Sequence, residues 1–410
     1  MKAVRIIARI LLGVVFIFSG FVKGIDPQGF AIKLSEYFES FGLPEMETIS
    51  LILGILVSTG ELLIGVCMLI GLRMRITAWA GLLFMSFFTV LTFYIAIANP
   101  VTDCGCFGDA IKISNWGTFY KNIILIALAI IVFWQKRKYS PMFKPAYEWT
   151  IIAGYSIVIV SVFIYCHNHL PIIDFRPYHV GADIKANMTI PEGEPADEYK
   201  TTFLYKKDGI VKEFDEKNYP WNDSTWTWVD TKQKLIKKGY EPPIHDFSIS
   251  SEAGIDITDS LLSAQGYTFL LISTELKQAD KDAMIHASKI AEKASNNGYG
   301  FYCLTASPFD FATSYKNAYN LNYPFCSTDK TTLKTIIRSN PGLVLLKEGI
   351  VIGQWHYKDF PKAEFLEKNL LAQQVNNLRV MDNNKMNFLL ITLFLLSIAI
   401  LALTKGLIKQ

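Results

Sequence analysis

Two cysteines separated by one glycine, Cys104-Gly105-Cys106, are the residues of this chain whose types and spacing most directly permit chemistry. Thiols one residue apart can close a small, strained disulfide ring, and strained or exposed disulfides are the labile, catalytic ones. Gly105 lowers the backbone cost of such a ring. In the surrounding run Asp103–Asp109, Phe107 could cover the sulfurs and Gly108 permits a tight turn. A static disulfide and half of a metal site are the competing readings. A metal would need more ligands nearby than this loop supplies, so none is expected.

Glu61 and Lys23 are the next candidates. An ionisable side chain at membrane depth is costly and marks function by default. Glu61 lies near the middle of the second apolar stretch and Lys23 near the outer end of the first. They could form an ion pair that fixes helix packing, or a route for protons. Cys67 is a lone thiol expected in packing. In Cys166-His167-Asn168-His169, the two histidines read as a solvated helix end rather than metal ligands. Cys303 and Cys326 each sit at the end of a strand-like run. They are read first as buried structural thiols, and otherwise as a second dithiol.

These residues must be positioned by membrane helices. Hydrophobic residues make up 51% of the chain, mean hydropathy is +0.25, and only 19% of residues are charged. Soluble domains carry about 25%. Six stretches are long enough to span a bilayer as helices: Val4–Val22, Ile49–Leu72, Ile76–Ala98, Trp116–Trp134, Trp149–Cys166 and Phe388–Leu403. The first reads as retained, because Lys23-Gly24-Ile25-Asp26 stands where a signal cleavage site would lie. Basic residues cluster at Lys2/Arg5/Arg9, Arg73/Arg75, Lys136/Arg137/Lys138/Lys144 and Lys405/Lys409. With six alternating helices all four clusters fall on one side, which sets that side as cytoplasmic. Loops 23–48 and 99–115 and the segment 167–387 then face outward. In the first loop, Gly29–Phe41 has Phe30, Leu34, Tyr37, Phe38 and Phe41 on one face and Lys33, Ser35, Glu36, Glu39 and Ser40 on the other. That predicts an amphipathic helix lying in the interface. A net charge of +3 with no basic stripe argues against nucleic acid, and six cysteines are too few for a disulfide scaffold.

Outside the membrane, Thr201–Tyr205 and Ile210–Phe214 predict a hairpin, and Trp221, Trp226 and Trp228 a small packed core. From about His245, strands at Thr268–Ile272, Phe301–Thr305, Leu343–Leu346 and Val351–Trp355 alternate with helices at Ala279–Ser295, Phe309–Tyr319, Thr331–Arg338 and Pro361–Leu371. Such alternation argues an α/β sheet covered by helices.

Two resemblances follow. Pro243-Ile244-His245-Asp246-Phe247-Ser248-Ile249, the strand at 268–272 and Asn340-Pro341-Gly342-Leu343-Val344-Leu345-Leu346 resemble a thioredoxin-like domain of the peroxiredoxin-related type. The resemblance implies that Pro341 is the cis-proline beside a peptide-binding groove. It departs at Ser273-Thr274-Glu275-Leu276-Lys277, where the family has Cys-x-x-Cys and this chain has no cysteine. Gly13–Lys23, Asp26-Pro27, Glu61–Gly65 and Asp103–Asp109 resemble the DoxX/MauE family of redox-associated membrane proteins. That implies a four-helix bundle with the dithiol at its outer mouth, a quinone as the membrane electron carrier, and Lys23 and Glu61 as a proton route to it.

The expected fold is a multi-domain α+β membrane protein: a DoxX-type four-helix transmembrane bundle, two further transmembrane helices and an extracytoplasmic α/β thioredoxin-like domain. The expected layout is a bundle with its Cys-x-Cys loop (1–138), a fifth transmembrane helix (139–169), a β-rich connector (170–244), a thioredoxin-like domain lacking Cys-x-x-Cys (245–375) and a last transmembrane helix (386–405). The expected function is thiol–disulfide exchange in a bacterial inner membrane, with the soluble domain facing the periplasm. Partners would be membrane lipid and an extracytoplasmic thiol protein or other envelope protein. The alternative is a non-catalytic scaffold that binds an envelope partner through its thioredoxin-like domain.

Overall fold

Lipid offers backbone amides no partner, so long apolar runs must fold as helices. The computed structural model describes residues 2–366, apart from residues 45, 102, 140, 142, 238 and 246. It begins with α1 (Lys2–Ile25), α2 (Pro27–Ser40), α3 (Glu47–Ile70), α4 (Met74–Ala98), α5 (Asn115–Trp134) and α6 (Pro145–Asn168). All but α2 have 20 to 25 residues and are apolar enough to cross a membrane. They match the first five predicted spans. The sixth, Phe388–Leu403, lies outside the described residues, as does the end of the helix expected at Pro361–Leu371. The described part of that helix is a 3-10 turn, Ala363–Leu366.

The long helices run alternately up and down. Arg5 donates to the Lys138 carbonyl (3.1 Å) and Arg73 approaches Glu148 (4.0 Å), so three of the basic clusters share one end. Leu12, Phe16, Met68, Met85, Leu125 and Ala129 fill the bundle centre. Helices α1 and α3 approach closely: a Cβ on Gly65 would stand 2.7 Å from the Ile17 backbone nitrogen. Small residues are what permit such backbone contact in membranes.

Asp26 caps α2 and Pro27 opens it, a favourable helix start. This amphipathic helix is rotated from the expected face. Ser35 is buried and donates to Ser50 of α3 (2.9 Å), while Phe41 is 50% exposed and stacks on Tyr94. The face is set by packing on α3 as well as by hydrophobicity.

Beyond α6 come α7 (Ile184–Asn187) and an antiparallel sheet of β1 (Glu198–Lys207), β2 (Ile210–Asp215) and β3 (Thr227–Lys237), ordered β2-β1-β3. The predicted hairpin forms β1–β2. The expected tryptophan core does not form. Trp226 packs on Phe214 (5.1 Å between centroids), but Trp221 and Trp228 are 75% and 56% exposed. Among the described residues no layer covers them.

The remaining elements are α8 (Thr258–Leu262), β4 (Tyr267–Ser273), α9 (Lys281–Asn296), β5 (Gly300–Thr305), α10 (Phe309–Ala318), β6 (Phe325–Ser327), α11 (Lys330–Ile336), β7 (Gly342–Lys347) and β8 (Ile350–His356). The sheet order is β6-β5-β4-β7-β8, with β4, β5 and β6 parallel and β7 and β8 antiparallel. Phe269–Ile272 are buried throughout because both faces are covered. Helices α9 and α10 pack on one face; α8 and α11 pack on the other. The Asn340-Pro341 peptide before β7 is cis. This is a thioredoxin-like topology with one extra edge strand.

Candidate functional site

The loop after α4 carries the dithiol, and α1, α2 and α5 hold it. Gly105 and Gly108 both take left-handed φ values, 62° and 51°, which bend the chain back on itself. Tyr37 of α2 donates its hydroxyl to the Cys104 carbonyl (2.8 Å), and Ser19 of α1 donates to the Cys106 carbonyl (2.8 Å). Ser19 lies six residues before the end of α1, about 9 Å along its axis. The loop therefore dips into the mouth of the bundle. Asp103 accepts from the Gly105 amide (2.8 Å) and pairs with Lys33 of α2 (3.4 Å). Phe107 lies 5.4 Å from the Phe18 ring and beneath the Lys121 ammonium (4.3 Å), largely buried beside the sulfurs.

The two sulfurs are in different places. Cys104 is 8% exposed, and Cys106 is the more exposed of the two. Cys104 Sγ accepts from the Cys106 amide (3.1 Å) and stands 3.5 Å from the Thr118 hydroxyl of α5. The Cys106 thiol, the Thr118 hydroxyl, the Cys106 amide and Lys121 together outweigh burial and lower Cys104 to about 6. The Cys104 sulfur and burial push Cys106 the other way, well above the usual thiol range. The reduced pair thus holds one proton on Cys106 and a thiolate on Cys104 at neutral pH. Thiolate, not thiol, is the nucleophile and the better leaving group.

Lys23 and Glu61 form a buried ion pair, 4% and 5% exposed. Lys23 stands one helical turn beyond Ser19 on the same face of α1, and its charge reaches Cys106. All four residues expected to be catalytic, Cys104, Cys106, Lys23 and Glu61, are therefore gathered at one mouth. Asp109 leaves the loop to meet Arg338 of the thioredoxin-like domain (3.2 Å).

Other candidates are not at this mouth. Cys303 pairs in register with Phe325, and Cys326 with Leu304. Neighbouring strand residues point to opposite faces, so Cys303 packs in the core beneath α9 and Cys326 in the core beneath α11. Burial raises both, Cys326 to about 11. The two sulfurs considered from sequence as a second dithiol thus belong to cores on opposite faces of the sheet. Cys67 packs with Leu72, Phe143 and Ile151 toward the other end of the bundle. His169 is engaged by Asp359 (2.8 Å).

Sequence reading missed Thr118, Ser19, Lys121 and Arg338. Tyr37 and Lys33 were seen only as helix-face residues. The pair Thr118 and Asn122, four apart in an apolar span and almost fully buried, was a signal available to it. The proline loop borders a cleft of about 620 Å³ lined by Gln28 of α2, Gln278, Asp280, Lys281, Asn340 and Tyr357. It lies at the start of α9.

Comparison with known proteins bears on the N-terminal region. Residues 1–135 match the family of methylamine utilisation protein MauE, and residues 199–238 match a domain of unknown function. A solution structure of a candidate protein disulfide isomerase from Bacteroides thetaiotaomicron matches with 16% identity over 34% of this chain and 87% of that one. Its TM-score of 0.24 is too low to add to the strand order and cis-proline already described. No curated protein matches the chain. The chain is a multi-pass membrane protein whose N-terminal region matches the MauE family and is followed by a domain of thioredoxin-like topology.

Proposed function

We propose that this protein is a membrane thiol–disulfide oxidoreductase subunit whose Cys104–Cys106 pair oxidises thiols of a protein on the side occupied by the thioredoxin-like domain. The observation that carries this reading is the unequal environment of the two sulfurs at the bundle mouth, Cys104 Sγ buried against the Cys106 amide and the Thr118 hydroxyl and Cys106 more exposed. A partner thiolate attacks the more exposed sulfur, Cys106, of the disulfide. The S–S bond breaks and Cys104 leaves with the electron pair, as the stabilised thiolate. A second partner thiolate then attacks the partner sulfur of the mixed disulfide. Cys106 leaves and takes up a proton. The partner ends as a disulfide and its two electrons rest in the reduced pair. Stabilising the reduced form makes a disulfide oxidising.

The same geometry bears on the electron carrier. A quinone follows from the family resemblance, but the cavity beside the dithiol measures only about 10 Å³, room for at most one water. The residues present do not fit a quinone ring there, and no step above runs through one. The basic clusters at the opposite end of the bundle support a cytoplasmic location for that end and a periplasmic one for the dithiol. The cleft beside Asn340 supports docking of an extended partner segment, since strand-like backbone bonding needs no thiol.

Trapping tests the sulfur assignment. Cys104→Ala in intact cells treated with the thiol oxidant diamide should accumulate a mixed disulfide through Cys106, visible as a reducible high-mass band, and Cys106→Ala, whose remaining sulfur is buried, should not. Absence of adducts in both variants, with Cys104 and Cys106 unresponsive to oxidants in the wild type, returns the protein to the scaffold reading.

A further inference from the structure

We infer that Arg338 is a positioning residue for the dithiol: from the proline loop of the thioredoxin-like domain it holds, through Asp26 and Asp109, both backbone segments that shape the Cys104–Cys106 loop. This rests on reading that pair as a reactive dithiol. The Arg338 side chain is 9% exposed, and its donors are divided among three acceptors. Nε reaches both oxygens of Asp26 (3.1 and 3.0 Å), Nη2 reaches Asp109 (3.2 Å), and Nη1 reaches the Lys334 carbonyl at the end of α11. A planar guanidinium suits such divided contact where an ammonium does not.

Each aspartate leads to a cysteine. Asp26 caps α2 through the Gly29 amide (2.9 Å), and α2 carries Lys33 to Asp103 and Tyr37 to the Cys104 carbonyl. Asp109 stands three residues after Cys106, at the exit of the loop. Arg176 lies behind, 1% exposed and held bidentately by Asp174 (2.7 Å twice), and its charge acts on both Asp26 and Asp109. Burial would raise the Asp26 carboxyl, but Arg338 and Arg176 hold it below the usual carboxylate range. The contact is thus charged at any physiological pH and is not a proton switch.

The dithiol depends on this support because its asymmetry is geometric. The Cys106 amide reaches Cys104 Sγ only while Gly105 keeps its left-handed turn, and Thr118 reaches it only while the loop stays down in the mouth. Arg338 is two residues from Asn340, which lines the cleft. The thioredoxin-like domain thereby positions the dithiol without supplying a thiol.

The test is the pH profile of iodoacetamide alkylation at Cys104, resolved by peptide mass spectrometry on the reduced full chain in nanodiscs. Wild type should show a midpoint near 6. Arg338→Gln and Asp109→Asn should each raise it by about one unit or more, toward the ordinary thiol range, slowing alkylation below the midpoint about tenfold. The double variant should go no further than Arg338→Gln alone, since that variant already removes the Asp109 contact. A midpoint unmoved in Asp109→Asn, or additive shifts in the double, overturns the inference. Asp109 is at the loop surface, so its variant decides the matter even if Arg338→Gln fails to accumulate. A wild-type midpoint in the ordinary thiol range instead sinks the dithiol reading itself.

Discussion

At the scale of single residues, Cys104 and Cys106 differ only in what surrounds them. The Cys106 amide and the Thr118 hydroxyl face Cys104 Sγ, and they favour its charged form. Its folded value, about 6, lies below the ordinary value of a free thiol. The thiolate therefore contributes stability to the reduced protein that is fully present above the unfolded value and lost as pH falls through 6. Exchange with partner thiols should be lost over the same window in the direction that needs this thiolate. Thr118→Val removes one hydrogen bond of about 1 kcal/mol and should raise the alkylation midpoint by up to about one unit. An unmoved midpoint would assign the thiolate to the Cys106 groups alone. Lys23 and Glu61 pose a different question. Glu61→Gln strands a buried ammonium and should cost about 3–5 kcal/mol. The double variant Lys23→Met, Glu61→Gln should recover thermal stability yet reoxidise the dithiol several-fold more slowly than wild type. Recovery of both quantities would make the pair a packing device.

Elements decide which residues can meet. Ser19 and Lys23 act together because four positions along α1 return to one face, and the close crossing of α1 and α3 at Gly65 lets Lys23 reach Glu61. Parallel pairing of β5 with β6 does the reverse for Cys303 and Cys326. One residue of register sends them to opposite faces of the sheet. The double variant Cys303→Ala, Cys326→Ala should keep full disulfide-exchange activity, with a stability loss on the order of 1–2 kcal/mol from the lost packing. Activity lost in a domain that remains folded would place a second redox centre there.

At the scale of the whole molecule, the thioredoxin-like domain stands on the end of the bundle that holds the dithiol. Arg338 to Asp26 and Asp109, Lys334 to Glu47 (3.5 Å) and His169 to Asp359 make the seam. Three basic clusters lie at the far end. A membrane-impermeant maleimide applied to intact spheroplasts after reduction should therefore label Cys106. Labelling that requires lysis would reverse the proposed orientation while leaving the fold untouched.

The sequence by itself determined the five described membrane helices, because twenty apolar residues in a row have few other ways to satisfy their backbone. It also determined the Cys-Gly-Cys loop as the reactive candidate and the strand–helix alternation of the outer domain, since both are local patterns. The β3 strand and the exposure of Trp221 and Trp228 were illegible, because they depend on what does or does not pack against that sheet. Only the tertiary structure decided which sulfur carries the charge, because Thr118 and Lys121 come from another helix. It also decided, through strand register, that Cys303 and Cys326 pack in cores on opposite faces of the sheet, and that Arg338 lies 312 positions from Asp26 in sequence yet bonds it directly. Hydrophobic periodicity is written residue by residue along the chain. Electrostatic contact depends on distance in space, and folding alone sets that.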